Sequence, residues 1–330
     1  TSMTTPAGFE SGSIAESYLQ LSGGIKYEVS DRIDLALIFD QPFGANVSYG
    51  EADAGFFTNP AGANVLSAEA SSSAITALAR YKFDENMSVH GGLRYQTVQV
   101  NVDFPLVSNY TIETEKDSAV GFVVGAAYEI PAIALRVALT YNSKISHDIT
   151  SVENCDSTEL LCDNLETTTS FDTPESLNLD FQTGIAEDTL LFGSVRYAKW
   201  TQFDFRPLAF ASATGMGDPD AGASLQDYDE DTVAYSLGVG RRFSDVFSGA
   251  ISVGYEAAQG GFSGPLAPTD GNISFGLGGT YTAADYKITA GVRYIMIGDA
   301  DLAIPGTETK VAEFKDNSAV AFGLQVSRNF

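Results

Sequence analysis

Between short polar turns the chain alternates apolar and polar residues with a period of two. Leu135, Val137, Leu139 and Tyr141 alternate with Arg136, Ala138, Thr140 and Asn142, and Leu177, Leu179 and Phe181 with Asn178, Asp180 and Gln182. Ile288, Ala290, Val292, Tyr294 and Met296 stand against Lys287, Thr289, Gly291 and Arg293. Segments of this kind are strands whose two faces meet different solvents. Thirteen are predicted, over about 13–29, 32–49, 69–83, 87–103, 116–129, 134–149, 167–185, 189–205, 230–243, 247–258, 271–283, 286–298 and 316–330. Tight turns at Ser30-Asp31-Arg32, Asp84-Glu85-Asn86, Ile130-Pro131-Ala132, Ala186-Glu187-Asp188, Ser244-Asp245-Val246 and Ala283-Ala284-Asp285 join them on one side. Longer polar stretches near 50–68, 104–116, 150–167, 206–229, 259–271 and 299–315 join them on the other. Short turns opposite long loops are the asymmetry of an outer-membrane barrel, with turns in the periplasm and loops outside.

Two rows of tyrosine fix the heights of the membrane surfaces. Tyr95, Tyr141, Tyr197, Tyr255 and Tyr294 lie about ten residues past a tight turn, while Tyr27, Tyr81, Tyr128 and Tyr281 lie a few residues before one. Ten residues of tilted strand span the hydrocarbon layer of a bilayer. No stretch approaches the eighteen apolar residues of a membrane helix, and the longest, Val120 to Ala127, is interrupted by glycine. The mean hydropathy of −0.01 fits a sheet that sets every second residue toward a wet interior. A soluble β-sandwich alternates too, but gives its aromatics no reason to sit at two constant heights. The expected fold is therefore all-β, a transmembrane antiparallel barrel forming a single domain over residues 1–330. An odd count is awkward for a closed barrel, which normally has an even number of strands. The first predicted strand starts on the loop side and the last ends on the turn side. That predicts fourteen strands, thirteen of them here and the first lying N-terminal to Thr1.

Charge and candidate chemistry narrow the function. A formal charge of −25 excludes a nucleic-acid partner. The acids concentrate in the expected loops, as at Glu153, Asp156, Glu159 and Asp163 or at Asp227, Asp229, Glu230 and Asp231. They read as solvated loop residues, because the ligand order and turn glycine of a calcium loop are missing. Cys155 and Cys162, the only cysteines, share one such loop and are expected to form a disulfide in an oxidising compartment. With the distant His147 they make too few ligands for a metal site. His90 is predicted to face the lumen and His147 to lie near a loop, so no catalytic constellation forms and no enzyme is expected. Asn59-Pro60-Ala61-Gly62 reads as a loop turn rather than a phosphate cradle, and no cofactor is expected. Inward Arg94, Arg196 and Arg293 precede outer-row tyrosines and share one level, with Arg80 and Arg136 lower. They can hold a ligand carboxylate or pair with lumen acids such as Asp34, Asp40 and Asp180.

Several segments resemble a known family. Tyr197-Ala198-Lys199-Trp200-Thr201-Gln202-Phe203, the Thr173-Pro174-Glu175 lead-in and the terminal Asn329-Phe330 are similar to the outer-membrane transporters of long-chain fatty acids and hydrocarbons, the FadL/TodX group. The similarity runs from about Tyr18 to Phe330 and spares the loops. It implies a fourteen-stranded barrel plugged by an N-terminal hatch, which is not among these residues, and passive uptake of hydrophobic compounds without a nucleotide. A polar-solute porin or adhesion-type surface barrel is the competing expectation. The resemblance also implies that an inward kink at Gln41-Pro42-Phe43-Gly44 opens the wall sideways, with Gly44 at the family's glycine and Pro42 a departure. On the residues alone the same segment reads equally as an ordinary bulge near the rim. Fatty-acid members carry basic residues near the pocket, and the aligned positions here are Val102 and Leu225. Hydrophobic small molecules, outer-membrane lipids and lipopolysaccharide are the implied partners of a monomeric, multi-pass protein of the cell outer membrane.

Overall fold

A strand in lipid satisfies its backbone only by pairing with its neighbours, and the chain does so in one antiparallel sheet. In the computed structural model, which describes residues 3–5, 11–49, 65–156, 162–303 and 309–330, that sheet holds β1 (Gly23–Ser30), β2 (Ile33–Asp40), β3 (Gly44–Ser48), β4 (Ser67–Lys82), β5 (Met87–Phe104) and β6 (Tyr110–Thr114). It continues through β7 (Asp117–Ile130), β8 (Leu135–Asn142), β9 (Ile145–Asn154), β10 (Leu165–Thr173), β11 (Ser176–Ala186) and β12 (Thr189–Ala198). The last five are β13 (Thr232–Arg242), β14 (Phe247–Glu256), β15 (Asn272–Ala283), β16 (Tyr286–Ile297) and β17 (Ser318–Arg328). The 17 strands make thirteen passes, because β2 with β3, β6 with β7, β8 with β9 and β10 with β11 are halves of interrupted passes. The turn expected at Asn59–Gly62 and the acid Glu159 lie outside the described residues.

The faces are those of a membrane barrel. Leu93 and Leu277 point outward and are 63% and 61% exposed, whereas inward Asp34, Thr76 and Gln96 are buried. The outer-row Tyr255 gains a cross-strand aromatic neighbour that the sequence reading did not place in the row, Tyr235, at a ring separation of 6.4 Å. Such pairs add to the stability of a sheet at the membrane interface.

On the loop side of that row the polarity turns inside out. In β8 the odd residue Leu139 faces out and is exposed; in β9 the odd residues Ile145, His147 and Ile149 are buried, and Ser146, Asp148 and Thr150 are exposed. Breaking the alternation by one residue exchanges the two faces of a strand. Breaks at Gln41–Phe43, Glu115–Lys116, Ser143–Lys144 and Pro174–Glu175 do this in the four interrupted passes. β5 runs unbroken and instead moves its apolar residues from odd positions (Leu93, Tyr95) to even ones (Val98, Val102, Phe104). Above the membrane the sheet thus encloses an apolar core, with Tyr49, Phe104, Tyr110, Ile112 and Phe210 fully buried.

Several boundaries differ from the sequence reading. Regular pairing of the first pass starts at Gly23 rather than near residue 13, and only an isolated bridge, Ala15 to Val47, precedes it. The strand expected over 189–205 stops at Ala198, where Trp200–Gln202 turn as a 3-10 helix. The loops expected near 104–116, 206–229 and 299–315 hold β6, the helix α1 (Leu208–Thr214) and the short strands Ala300–Ala303 and Lys310–Phe314. Those last two pair with Phe262–Ser263 and Met3–Thr4 in a separate small sheet. Glu153, grouped above with solvated loop acids, is completely buried because β9 runs on to Asn154. Cys155 and Cys162 form the expected disulfide, their Cα atoms 5.5 Å apart.

Candidate functional site

Inversion of the strand faces creates an apolar chamber of about 330 Å³ in the upper barrel. Ala68, Ala70, Val98, Val100 and Val102 of β4 and β5 form one wall. Six aromatic rings, those of Phe43, Phe171, Trp200, Phe203, Phe205 and Tyr228, form much of the rest. They contact one another edge to face or tilted, with Trp200 5.8 Å from Phe43 and 4.8 Å from Tyr228, and Phe171 5.6 Å from Phe203. Trp200 reaches this place because the chain leaves the sheet after Ala198 and turns inward. Among the described residues no acidic or basic side chain lines the chamber. Burial, together with the nearby charge of Asp227, pushes the Tyr228 phenol up to about 12, so it too stays neutral. Val102 and Leu225, at positions where the resemblance placed basic residues, are buried chamber residues.

The arginines singled out from sequence lie elsewhere. Arg94 pairs with Asp40 at 2.7 Å, Arg136 with Glu129 at 3.1 Å, and Arg196 donates to Asn178 Oδ1 at 2.9 Å. Arg293 faces Gly276 across the sheet and has no hydrogen-bond or ion-pair partner among the described residues. Lower in the lumen, Asp34 gathers Arg80 at 2.5 Å and Lys26 and Lys82 at 3.6 Å. Asp34, Arg80, His90, Arg136 and Asp180 border a second cavity of about 410 Å³. His90 there shares a hydrogen bond of 3.0 Å with Thr140 Oγ1. The interior is thus divided by height, apolar above and ionic below.

Gln41, Pro42, Phe43 and Gly44 interrupt the second pass beside the chamber. The β1–β2 ladder stops at Gly23 opposite Phe39, and its register returns only at the Ala15–Val47 bridge. Between those points the side chains of Gln41 and Gln20 hold the two edges together: Gln41 Oε1 accepts from Leu21 N at 2.7 Å, and the Gln41 backbone oxygen accepts from Gln20 Nε2 at 2.5 Å. A cavity of about 290 Å³, bordered by Tyr18, Leu19, Gln20 and the break, fills the interval. It shares Pro42, Phe43, Gly44 and Ala45, and Ala70 to Ser72 of β4, with the chamber. Phe43 is the partition. Ser72 Oγ accepts from Phe43 N at 2.8 Å and donates to Phe43 O at 2.5 Å, standing in for a lost ladder partner. Gly44 has an ordinary negative φ, so the break arises from the extra residue and from Pro42, which lacks an N–H, rather than from a glycine conformation.

Sequence reasoning did not find Ser72, Phe171, Phe203 or Tyr228. The apolar parity switch in β5 was the one available signal.

A lipid-facing antiparallel barrel with an apolar chamber above an ionic lumen defines a class of outer-membrane transport barrel. The chain belongs to the family of outer membrane protein transport proteins (OMPP1/FadL/TodX), whose model matches residues 19–330. No curated protein matches its sequence. Among solved structures it is similar to a Pseudomonas aeruginosa FadL homologue at 15% identity and a TM-score of 0.68, over 92% of this chain and 76% of that one. It is similar to the P. putida toluene transporter TodX at 12% identity and a TM-score of 0.66, over 100% and 86% of the two chains. For the Ralstonia pickettii toluene transporter TbuX the values are 11% and 0.62, over 99% and 86%.

Proposed function

We propose that the protein admits neutral hydrophobic compounds across the outer membrane by passive diffusion, holds them in the upper chamber and releases them sideways past Phe43 and Gly44. The observation that carries this reading is the uncharged, ring-lined chamber sharing a wall with the cavity in the barrel side. The two relatives described as toluene transporters handle a molecule of this chemical kind. Continuing downward would carry an apolar ligand past the Asp34 and Arg80 cluster. A ligand exposing roughly 200 Å² of apolar surface there would lose about 5 kcal/mol. Sideways release at the outer interface spares it that descent and delivers it to the lipid surface. Arg80, Arg94 and Arg136 hold the lumen together through their acid partners, and the exposed loop acids meet lipopolysaccharide and solvent. One chain supplies all the described lining of the chamber, which supports a monomer.

The ionic lower lumen favours the competing reading, a porin for polar solutes. Liposome swelling with sugars, set beside binding of toluene and of a fluorescent fatty acid, separates the two. Binding of toluene without sugar permeation is expected; sugar permeation without apolar binding overturns the transport reading.

A further inference from the structure

The wall is interrupted at a second place. Between the fifth and sixth passes the ladder reaches Val123 opposite Asn142 and is next paired at Thr114 opposite Ser151. Nine positions separate these pairs on either side, so the register is kept. Within the interval, among the described residues, the two backbones are joined only near its ends, by Ser143 N to Phe122 O and Glu115 N to Thr150 O, each at 2.9 Å. Ser143 Oγ also accepts from Phe122 N at 2.9 Å. The break at Gln41–Phe43 is built the same way: there Gly23–Phe39 and Ala15–Val47 lie eight positions apart with the register kept and a side chain bridging the edges. Both intervals start just loop-side of the outer aromatic row, after Phe39 in one case and after Tyr141 in the other.

What differs is the filling. The first interval holds a cavity, and the second is stopped by Ile145 and His147. Ile145 Cγ1 lies 2.6 Å from where a Cβ on residue 121 would stand, so the close approach of this plug depends on Gly121. His147 is completely buried; its Nδ1 is 2.7 Å from Asp117 Oδ2, and its ring stacks on Phe171 at 5.5 Å and 22°. Phe171 is also a wall of the chamber. His147 Nε2 has no hydrogen-bond partner among the described residues. A buried ring nitrogen left unpaired opposes the closed arrangement, and turning the imidazole outward to interfacial water satisfies it. Unpaired strand edges are not tolerated deep in lipid, but at this height water can reach them.

We propose that this interval is a second side window for neutral apolar ligands, closed by Ile145 and His147 and latched by Asp117. It rests on the reading of the chamber as the ligand site. Opening it joins the chamber, through Phe171, to the outer leaflet at a place separate from Gly44.

The test uses the full chain in phospholipid bilayers with a neutral phenyl-diazirine hydrocarbon, photolysed and mapped by peptide mass spectrometry, alongside uptake of toluene. Wild type is expected to be labelled at Phe171 and Trp200 in the chamber. Replacing Ile145→Ala with His147→Ala raises labelling of residues 117–121 and 144–149 severalfold and restores, severalfold, the uptake lost in a Gly44→Val background. Asp117→Ala frees the latch with the plug in place and gives a smaller gain, which decides the matter should the double variant not fold. A labelled chamber with no gain at residues 117–121 and 144–149 in either variant overturns the second window and leaves the chamber reading standing. An unlabelled chamber in the wild type overturns both.

Discussion

Glu153 shows how much of the upper barrel depends on one side chain. Its carboxylate accepts from Tyr110 Oη at 2.8 Å, Thr167 Oγ1 at 2.6 Å and the backbone N of Ala209 at 2.9 Å, so it ties β6 and β10 to the start of α1. Removing an acceptor that serves three donors in a closed site leaves each donor without compensation. Glu153→Ala is expected to cost about 3 kcal/mol in denaturant unfolding, with Glu153→Gln recovering part of it. An unfolding midpoint unchanged by Glu153→Ala contradicts this role. Asp227 acts in the opposite sense. The residue is exposed, but partial desolvation of its carboxyl, and then the charges of Asp204 and Asp229, raise its pKa. An acid whose folded-state pKa is raised favours the folded form most at low pH, and that contribution is lost as pH rises through the raised value. Protection factors for amide exchange over residues 206–228 should therefore fall from acidic to neutral pH, and Asp227→Asn should flatten the profile; a profile unaltered by the substitution counts against it. Neither role was legible in sequence, where both residues sit in runs of loop acids. Only the third dimension shows that one of them ends a strand that faces inward.

At the scale of the element, the breaks were harder to see than the strands. Leu135, Val137, Leu139 and Tyr141 keep the same parity as Ile145 and Ile149, so 134–149 reads as one uninterrupted strand; yet the two sets lie on opposite faces because the pleat skips a step at Ser143–Lys144. Sequence periodicity records parity along the chain and cannot record which solvent a face meets. The break at Gln41–Phe43 was legible because Pro42 cannot donate to a ladder and because Gly44 matches the kink glycine of the resembling family. A side chain at position 44 is tolerated there, since its Cβ would meet Ala70 O at an ordinary 3.6 Å. Gly44→Val is thus expected to leave folding intact, by heat-dependent gel mobility and circular dichroism, while reducing toluene uptake. Wild-type uptake in the variant would remove the case for lateral release there.

For the whole molecule, the turns, the thirteen passes and both aromatic rows could be read from sequence, because each is a local pattern repeated many times. The chamber could not, since its walls come from Gly44, Val98, Phe171, Trp200 and Tyr228, on segments far apart in the chain. That no cation lines it among the described residues has a measurable effect on selectivity. An ionised fatty carboxylate would bury a charge without a partner, so it should bind at least about tenfold more weakly than the corresponding neutral alcohol. Competition against bound toluene checks this, and equal affinities contradict it. Trp200 is the only tryptophan in the chain, and its ring stands in the chamber wall between Phe43 and Tyr228. The tryptophan emission of this chain therefore comes from one indole in the chamber wall, and under the proposed function its wavelength and intensity should register loading and departure in real time with no dye attached.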